Sequence, residues 1–147
     1  MRLKLTLLLI SLLTILPGCT TNNGDIGPLF GQWKLTEILI DGQPEPGYDG
    51  DIFWQFQSHV ISMRRIDPDH TQHFCYGSWQ MPDNKTLQLD FSHTDDENTD
   101  WRYKPFEDTM LPAAVSNLDI VTLNSSRITA TYLTDSGQTI TYRLIKW

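Results

Sequence analysis

In Ile128-Thr129-Ala130-Thr131-Tyr132-Leu133, apolar residues alternate with threonines, and a similar alternation returns in Ile140-Thr141-Tyr142-Arg143-Leu144-Ile145. A period of two places alternate side chains on opposite faces of a β-strand, whereas a helix requires a period near 3.6. Asp135-Ser136-Gly137 lies between the two segments and has the composition of a turn. The two segments therefore predict an antiparallel hairpin, with Ile128, Ala130 and Tyr132 sharing one face.

Strand patterns continue upstream of this hairpin, separated by turns rich in Gly, Pro, Asn and Asp. They predict strands over 29–40, 52–57, 60–66, 72–81, 87–91 and 118–123. The path of 101–117 stays open, because Trp101-Arg102-Tyr103 fits a short strand and 110–115 fits either a helical turn or a crossing loop. Strands of this number and length predict an all-β domain, either a single up-and-down antiparallel barrel of about eight strands or a sandwich.

The start of the chain has the pattern of an export signal. Arg2 and Lys4 precede a run of mostly apolar residues from Leu5 to Leu16, which is too short to span a bilayer. Leu16-Pro17-Gly18-Cys19 then resembles the lipobox of bacterial lipoproteins. The resemblance implies a lipoprotein signal peptide over residues 1–18 that is removed, and lipidation of Cys19 with acyl chains such as palmitate.

Residues 19–28 are short, polar and rich in turn formers, as in a flexible tether, and residues 29–147 are predicted to form the folded domain. Thr20, rather than an aspartate, follows Cys19, which is compatible with sorting to the outer membrane. The predicted location is therefore the cell envelope, on the outer membrane through the lipid anchor. The sequence leaves open whether the domain lies on the periplasmic or the surface face.

The acidic charge balance argues against one class of partner. The chain carries a formal charge of −7, which becomes −9 once Arg2 and Lys4 are removed with the signal. Such a charge repels phosphate backbones, so nucleic acid is not expected as a partner. We expect it to keep a tethered domain soluble and clear of an anionic membrane surface.

A short motif at the start of the first strand carries a second resemblance. Gly31-Gln32-Trp33 is similar to the G-x-W motif of lipocalins and other calycin barrels, and the last strand carries Arg143 and Lys146. In that family a basic residue of the last strand lies over the tryptophan and closes one end of the barrel. The resemblance implies that Trp33 pairs with Arg143 or Lys146, in a lipocalin-like lipoprotein of the kind common in Bacteroidetes.

No catalytic constellation is recognised, so an enzyme is not predicted, and neither is a cofactor. Two patterns have the residue types of metal sites, although we predict no metal. Asp96, Asn98, Asp100 and Glu107 have EF-hand spacing, but Trp101 stands where that loop needs glycine. His70 and His73 are three residues apart and would face opposite sides of a strand.

Cys75 is left without an intramolecular partner once Cys19 carries lipid, and its place in an apparent strand predicts burial. His73 lies two residues away on the same strand face, so the pair offers a thiol and a base, but no oxyanion donor accompanies them. The interpretation of a buried structural thiol is preferred to that of a nucleophile.

Aromatic residues are more numerous than a small barrel interior obviously requires. Packing in the core is their default role. Where some of them line a pocket in the mouth of the barrel, the predicted walls are Trp54, Tyr76, Trp79 and Tyr132. The predicted function is non-covalent binding of a small apolar or amphipathic ligand. The alternative is a filled barrel that acts as an interaction, accessory or inhibitor module on a protein partner in the cell envelope.

Overall fold

The computed structural model describes residues 27–93 and 103–147. They form nine β-strands joined in one antiparallel sheet, and none of their helical turns is long or apolar enough to cross a bilayer. The strands are β1 Gly31–Ile40, β2 Gln43–Pro44, β3 Ile52–Gln57, β4 Val60–Ile66, β5 Gln72–Gln80, β6 Thr86–Asp90, β7 Val115–Leu123, β8 Arg127–Leu133 and β9 Thr139–Lys146.

The sheet closes on itself. Each strand from β3 to β8 pairs with the strand that follows it, and β1 pairs with both β3 and β9. The two-residue strand β2 only extends the end of β1, where Leu39 is opposite Pro44. The result is a closed eight-stranded up-and-down barrel, which confirms the predicted barrel and excludes the sandwich.

A bulge in β1 explains why the first strand carries apolar side chains on both alternations. The register with β9 shifts between Leu35 and Glu37, and the Thr36 hydroxyl donates to the Arg143 carbonyl at 3.0 Å. An extra residue in one strand exchanges the faces of all residues that follow it. Trp33 and Leu35 therefore point inward before the bulge, and Ile38 is buried after it.

Large side chains fill the barrel. The largest that are fully buried are Trp33, Trp54, Tyr142, Phe56, Phe91, Leu29, Leu35, Ile38, Ile52, Ile61, Met63 and Leu87. Trp54 contacts Tyr142 with ring centroids 5.3 Å apart, and Phe56 meets Trp79 edge to face at 5.4 Å. Burial of aromatic surface on this scale supplies the main stabilisation of a domain with no disulfide in its described part.

The barrel has two distinct ends. At the β1 end lie residues 27–30, the turns at 58–59, 81–85 and 124–126, and Trp147. At the mouth end lie the connections 41–51, 67–71 and 134–138, together with the described residues 91–93 and 103–114 of the connection between β6 and β7.

The mouth end is covered by residues 103–114. This segment contains a 3-10 helix at Glu107–Thr109, and it places Thr109 and Leu111 in buried positions. The hydroxyl of the buried Tyr142 donates to the Thr109 carbonyl at 2.7 Å. Of the two paths considered for 110–115, the crossing loop is therefore the one formed, and β7 begins at Val115 rather than at the predicted Leu118. Trp101 and Arg102 lie outside the described residues.

Candidate functional site

One end of the barrel is closed around Trp33. The Lys146 ammonium lies 4.3 Å from the centre of the Trp33 ring and also donates to the Phe30 carbonyl. The Trp33 indole N–H donates to the Leu29 carbonyl at 2.7 Å, so the chain before β1 folds over this end. Burial lowers the pKa of Lys146 from its ordinary value. Of the two basic residues considered for this position, the structure places Lys146 there.

Arg143 lies on the outer wall instead. Its guanidinium pairs with the Glu37 carboxylate at 2.7 Å, and both side chains are at least one third exposed. The physical reason is the alternation of β9, in which Tyr142 and Leu144 point inward and Arg143 points out. The expectation that Arg143 could cover Trp33 is therefore wrong.

The four aromatic residues predicted as a pocket wall do not come together. Trp54 is wholly buried in the core. Tyr76 lies on the outer wall, because Cys75 faces inward, and stacks beside Phe74 with ring centroids 6.5 Å apart. Tyr132 is half-buried at the mouth end, where it pairs with Ile140.

Trp79 alone of the four lines a groove, and the groove lies at the β1 end rather than in the mouth. It has a volume of about 610 Å³. Its walls are Gly27, Pro28, Leu29, Phe30, Ser58, His59, Trp79, Gln80, Met81, Asn84 and Leu123. The side chains are mainly apolar, with a few polar groups at the turns, which is the usual composition of a small-molecule site.

The Trp79 indole nitrogen is buried and has no hydrogen-bond partner in the described part of the chain. A buried donor without a partner costs about 1–3 kcal/mol. The polar side chains that line the groove are instead Ser58, His59, Gln80 and Asn84. The groove thus offers a mainly apolar wall with polar groups at its turns.

Sequence reasoning missed the other apolar residues of the groove. Leu29, Phe30, Met81 and Leu123 each stand at the end of a strand or just outside it. Such residues give no periodic signal, and only closure of the barrel brings these separate turns together. The one usable signal was the apolar pair Leu29-Phe30, which was predicted as part of the strand over 29–40 but lies just before β1.

A second depression, of about 820 Å³, lies at the mouth end and is strongly charged. Arg65 is its central group, with its guanidinium 3.4 Å from the Asp51 carboxylate and paired also with Asp108. The Phe106 ring packs on the same guanidinium at 4.5 Å. Arg65 thus joins the barrel wall to Asp108 and Phe106, and these contacts hold the covering segment in place.

Cys75 is fully buried, as predicted. Burial raises the pKa of its thiol to about 12. A thiol in that state is neither a nucleophile nor a metal ligand at neutral pH. The neighbouring His73 ring bonds to the Asp67 carboxylate at 2.9 Å, so the thiol-and-base interpretation has no support from the geometry.

The predicted metal patterns are only partly within the described residues. Asp96, Asn98 and Asp100 lie outside them, as does Cys19, while Glu107 belongs to the 3-10 helix at the mouth. His70 sits in the 67–71 turn with a φ of 69°, away from the strand that carries His73. No group of three His, Cys, Asp or Glu side chains converges within 27–93 and 103–147.

Comparison with known proteins defines the family. A family model described as a lipocalin-like domain matches residues 11–143, and the chain therefore belongs to the lipocalin-like domain family. A lipocalin-like protein from Bacteroides uniformis superposes with a TM-score of 0.61 at 18% identity, covering 82% of this chain and 100% of that one. An uncharacterized protein from Bacteroides eggerthii gives a TM-score of 0.61 at 16% identity, covering 81% and 99%. No functionally curated protein matches the chain.

Proposed function

We propose that the protein is a membrane-anchored binding protein of the cell envelope, which takes up a small apolar or amphipathic molecule without chemical change. The observation that carries this proposal is the groove at the β1 end, where Trp79 and other apolar side chains form the walls and polar groups stand at the turns. Its volume of about 610 Å³ falls within the range of about 300–1,000 Å³ typical of small-molecule sites. The lipocalin-like family is generally a non-enzymatic binding fold, which supports binding rather than catalysis.

The residues of the groove suggest the kind of molecule that fits. Leu29, Phe30, Met81 and Leu123 provide an apolar wall for a chain or ring. The polar residues of the groove, Ser58, His59, Gln80 and Asn84, would contact a polar head at the other end of the ligand. An amphipathic molecule such as a lysolipid or a fatty acid satisfies both requirements.

Native mass spectrometry of the full chain, mixed with fatty acids and lysophospholipids of graded length, tests this proposal. We expect a one-to-one adduct, and we expect Trp79→Ala to weaken it by about tenfold or more, as for other central aromatic contacts. Tyr76→Ala is the matched control, because Tyr76 is an exposed aromatic residue on the same strand but on the outer wall. Equal adduct formation by both variants, or none by the wild type, would refute the groove as the site.

The proposed anchor is the acylated Cys19, in keeping with the lipobox-like sequence before it. A Cys19→Ser variant should lose palmitate labelling and leave the membrane fraction of the cell. Retention of that variant in the membrane fraction would contradict the lipoprotein proposal. The outer membrane is the proposed location because Thr20 follows the cysteine.

The filled interior favours a second candidate function. Trp33, Trp54, Phe56 and Tyr142 occupy the space that a ligand holds in an open barrel, and residues 103–114 cover the mouth. A barrel of this kind can serve as a rigid module whose outer surface binds an envelope protein. Failure of all the lipid probes, together with recovery of a stoichiometric protein partner by crosslinking in cells, would favour this candidate.

A further inference from the structure

We propose that the β1 end of the barrel docks on the surface of an anionic bilayer, through exposed aromatic and basic side chains. The described chain begins at Gly27, at this end, so an anchor at Cys19 would hold this end nearer to the membrane than the mouth end. The inference therefore rests in part on the anchor proposed above. It goes further by assigning the membrane contact to residues of the folded domain.

Exposed apolar side chains are concentrated at this end. The large hydrophobic residues left exposed in this half of the barrel are Phe30 at 40%, Val60 at 47%, Val121 at 64%, Ile145 at 41% and Trp147 at 66%, against Val115 and Leu133 in the mouth half. Phe30 lines the groove, and the others lie outside it. Aromatic residues with this kind of exposure are typical of the membrane–water interface, where an apolar ring meets polar headgroups.

Trp147 is held in place rather than loose. Its backbone N–H donates to the Gln32 carbonyl at 2.9 Å, and its ring meets Phe53 edge to face with centroids 5.1 Å apart. The Lys34 ammonium lies 5.6 Å from the same ring. A fixed tryptophan that carries a cation beside it and is still two thirds exposed is suited to insertion among headgroups.

The charges of the domain are divided between its two ends. In the described parts of the mouth-end connections, acidic residues outnumber a single basic one, Lys104. The acidic residues are Asp41, Glu45, Asp49, Asp51, Asp67, Asp69, Glu107, Asp108 and Asp135. Acidic charge is therefore concentrated on the end that faces away from the tether.

At the β1 end the balance is reversed. Lys85, Arg127 and Lys146 stand at the turns and strand ends, against Asp83 and against Asp119, which is opposite Thr86 at the start of β6. The Asp83 carboxylate is moreover engaged with the backbone N–H groups of Lys85 and Thr86, at 2.7 and 2.6 Å. Each basic residue near an anionic surface contributes about 1 kcal/mol of attraction. The net negative charge, which alone predicts repulsion, is thus compatible with docking in this one orientation.

Fluorescence quenching tests the proposal on the full chain, purified in detergent and reconstituted with vesicles. The vesicles contain brominated phosphatidylcholine, either alone or mixed with phosphatidylglycerol. The contribution of Trp147 is the difference between the wild type and Trp147→Phe. We expect this difference to be quenched at least about twofold more on phosphatidylglycerol vesicles, and the excess to disappear in high salt.

Charge reversal at the two ends provides the matched control. Lys85→Glu combined with Arg127→Glu should remove more than half of the Trp147 quenching on phosphatidylglycerol vesicles. Lys104→Glu reverses one charge at the mouth end and should leave the quenching unaltered. Equal effects of the two ends, or a Trp147 signal that no vesicle quenches, would overturn the proposal, whether or not the protein sediments with the vesicles.

Palmitate labelling of the same samples separates this inference from the anchor. Labelled protein that sediments without quenching rejects the docking surface and leaves the anchor intact. Unlabelled protein that is still quenched on phosphatidylglycerol vesicles rejects the anchor and supports the surface. Neither result depends on whether the groove binds a lysolipid, which is measured without vesicles.

Discussion

At the scale of single residues, Gly31 is the position where the closed end of the barrel is most constrained. Its φ is 106°, and a Cβ built there would lie 2.8 Å from the Lys146 ammonium. Gly31→Ala should therefore lower the free energy of unfolding by about 1–3 kcal/mol through backbone strain and displacement of the lysine. Denaturant unfolding measures this loss.

Gly137→Ala is the matched control for that substitution. Gly137 also has a positive φ, 85°, but open space surrounds the added methyl group. The difference between the two variants isolates the contact with Lys146, and it should vanish in a Lys146→Ala background. Equal losses from both glycines in the wild-type background would show that only backbone strain matters.

Burial of Cys75 and Tyr142, which ionise only at high pH, predicts that the protein loses stability in alkali. Burial raises the pKa of Cys75 to about 12 and raises the pKa of Tyr142 above its ordinary value. A raised pKa favours the neutral form in the folded state, so the stabilisation is complete below the unfolded pKa of roughly 8.5 for cysteine and roughly 10 for tyrosine. It is lost as the pH rises toward the folded values.

Urea midpoints measured from pH 7.5 upward test this linkage, and the decline should begin near the ordinary pKa of cysteine. Cys75→Ala should flatten the first part of the decline. The native thiol should also resist iodoacetamide at pH 8 until the chain is unfolded. Rapid labelling of Cys75 in the folded protein, located by peptide mass mapping, would contradict the buried, protonated state.

Residue types in the sequence predicted some side-chain positions and missed others for a common reason. Cys75 could be placed in the interior because it lies within a strand. Tyr76 could not be assigned a face, since Phe74-Cys75-Tyr76 is apolar on both alternations and no local feature fixes the phase. The prediction that Arg143 could cover Trp33 was wrong for the same reason. Lys146 and Arg143 lie on opposite faces of β9, and the motif alone does not choose between them.

At the scale of the element, residues 103–114 are held over the mouth by Arg65. Its guanidinium contacts Asp51, Asp108 and the Phe106 ring. Arg65→Ala should lower the free energy needed to open this segment by about 1 kcal/mol. The effect is small because these groups are partly exposed and solvent screens the pairs. Hydrogen exchange of the Thr109 and Met110 amides should quicken about fivefold, because local opening becomes easier.

Arg64→Ala is the control for this effect. Arg64 is the neighbour of Arg65 on β4, but its guanidinium lies over Phe53 on the outer wall, 4.9 Å from the ring centre. It should leave exchange in the covering segment unchanged. Equal acceleration by both variants would mean that the segment does not depend on the mouth-end ion pairs.

Strand positions were predictable because an alternating pattern is a local property of the sequence. The hairpin of β8 and β9 shows this best, with each predicted strand within one residue of the observed one. Residues 103–114 carry no such pattern. Their course depends on the opening at the mouth end of the barrel, which forms only when the sheet closes. The same holds for the groove, whose walls come from turns that meet only after the barrel has closed.

At the scale of the whole molecule, the closed sheet predicts a single cooperative unfolding transition. Every described strand except β2 has two neighbours, and the core is continuous through the barrel. Loss of any one strand would expose two edges and much of the core, so partly unfolded forms should be scarce. Near- and far-ultraviolet circular dichroism should report the same urea midpoint. Two separated midpoints would show that part of the barrel unfolds independently.

The barrel could not be distinguished from a sandwich by its sequence, because the distinction lies in one pairing. That pairing joins β1 to β9, and the Thr36–Arg143 bond across it links residues 107 positions apart. No local pattern carries information about such a contact. The short resemblance at Gly31-Gln32-Trp33 pointed to the closed form, and the pairing of β1 with β9 bears it out.

The pairing of β1 with β9 also sets a time order for the life of the chain. The barrel cannot close until β9 is available to pair with β1. Until then β1 and the growing edge of the sheet both present unpaired backbone groups, which are the usual starting points of aggregation. Contacts so distant in sequence also form slowly. The interval between synthesis of β1 and closure of the barrel is therefore the period in which this protein is most vulnerable.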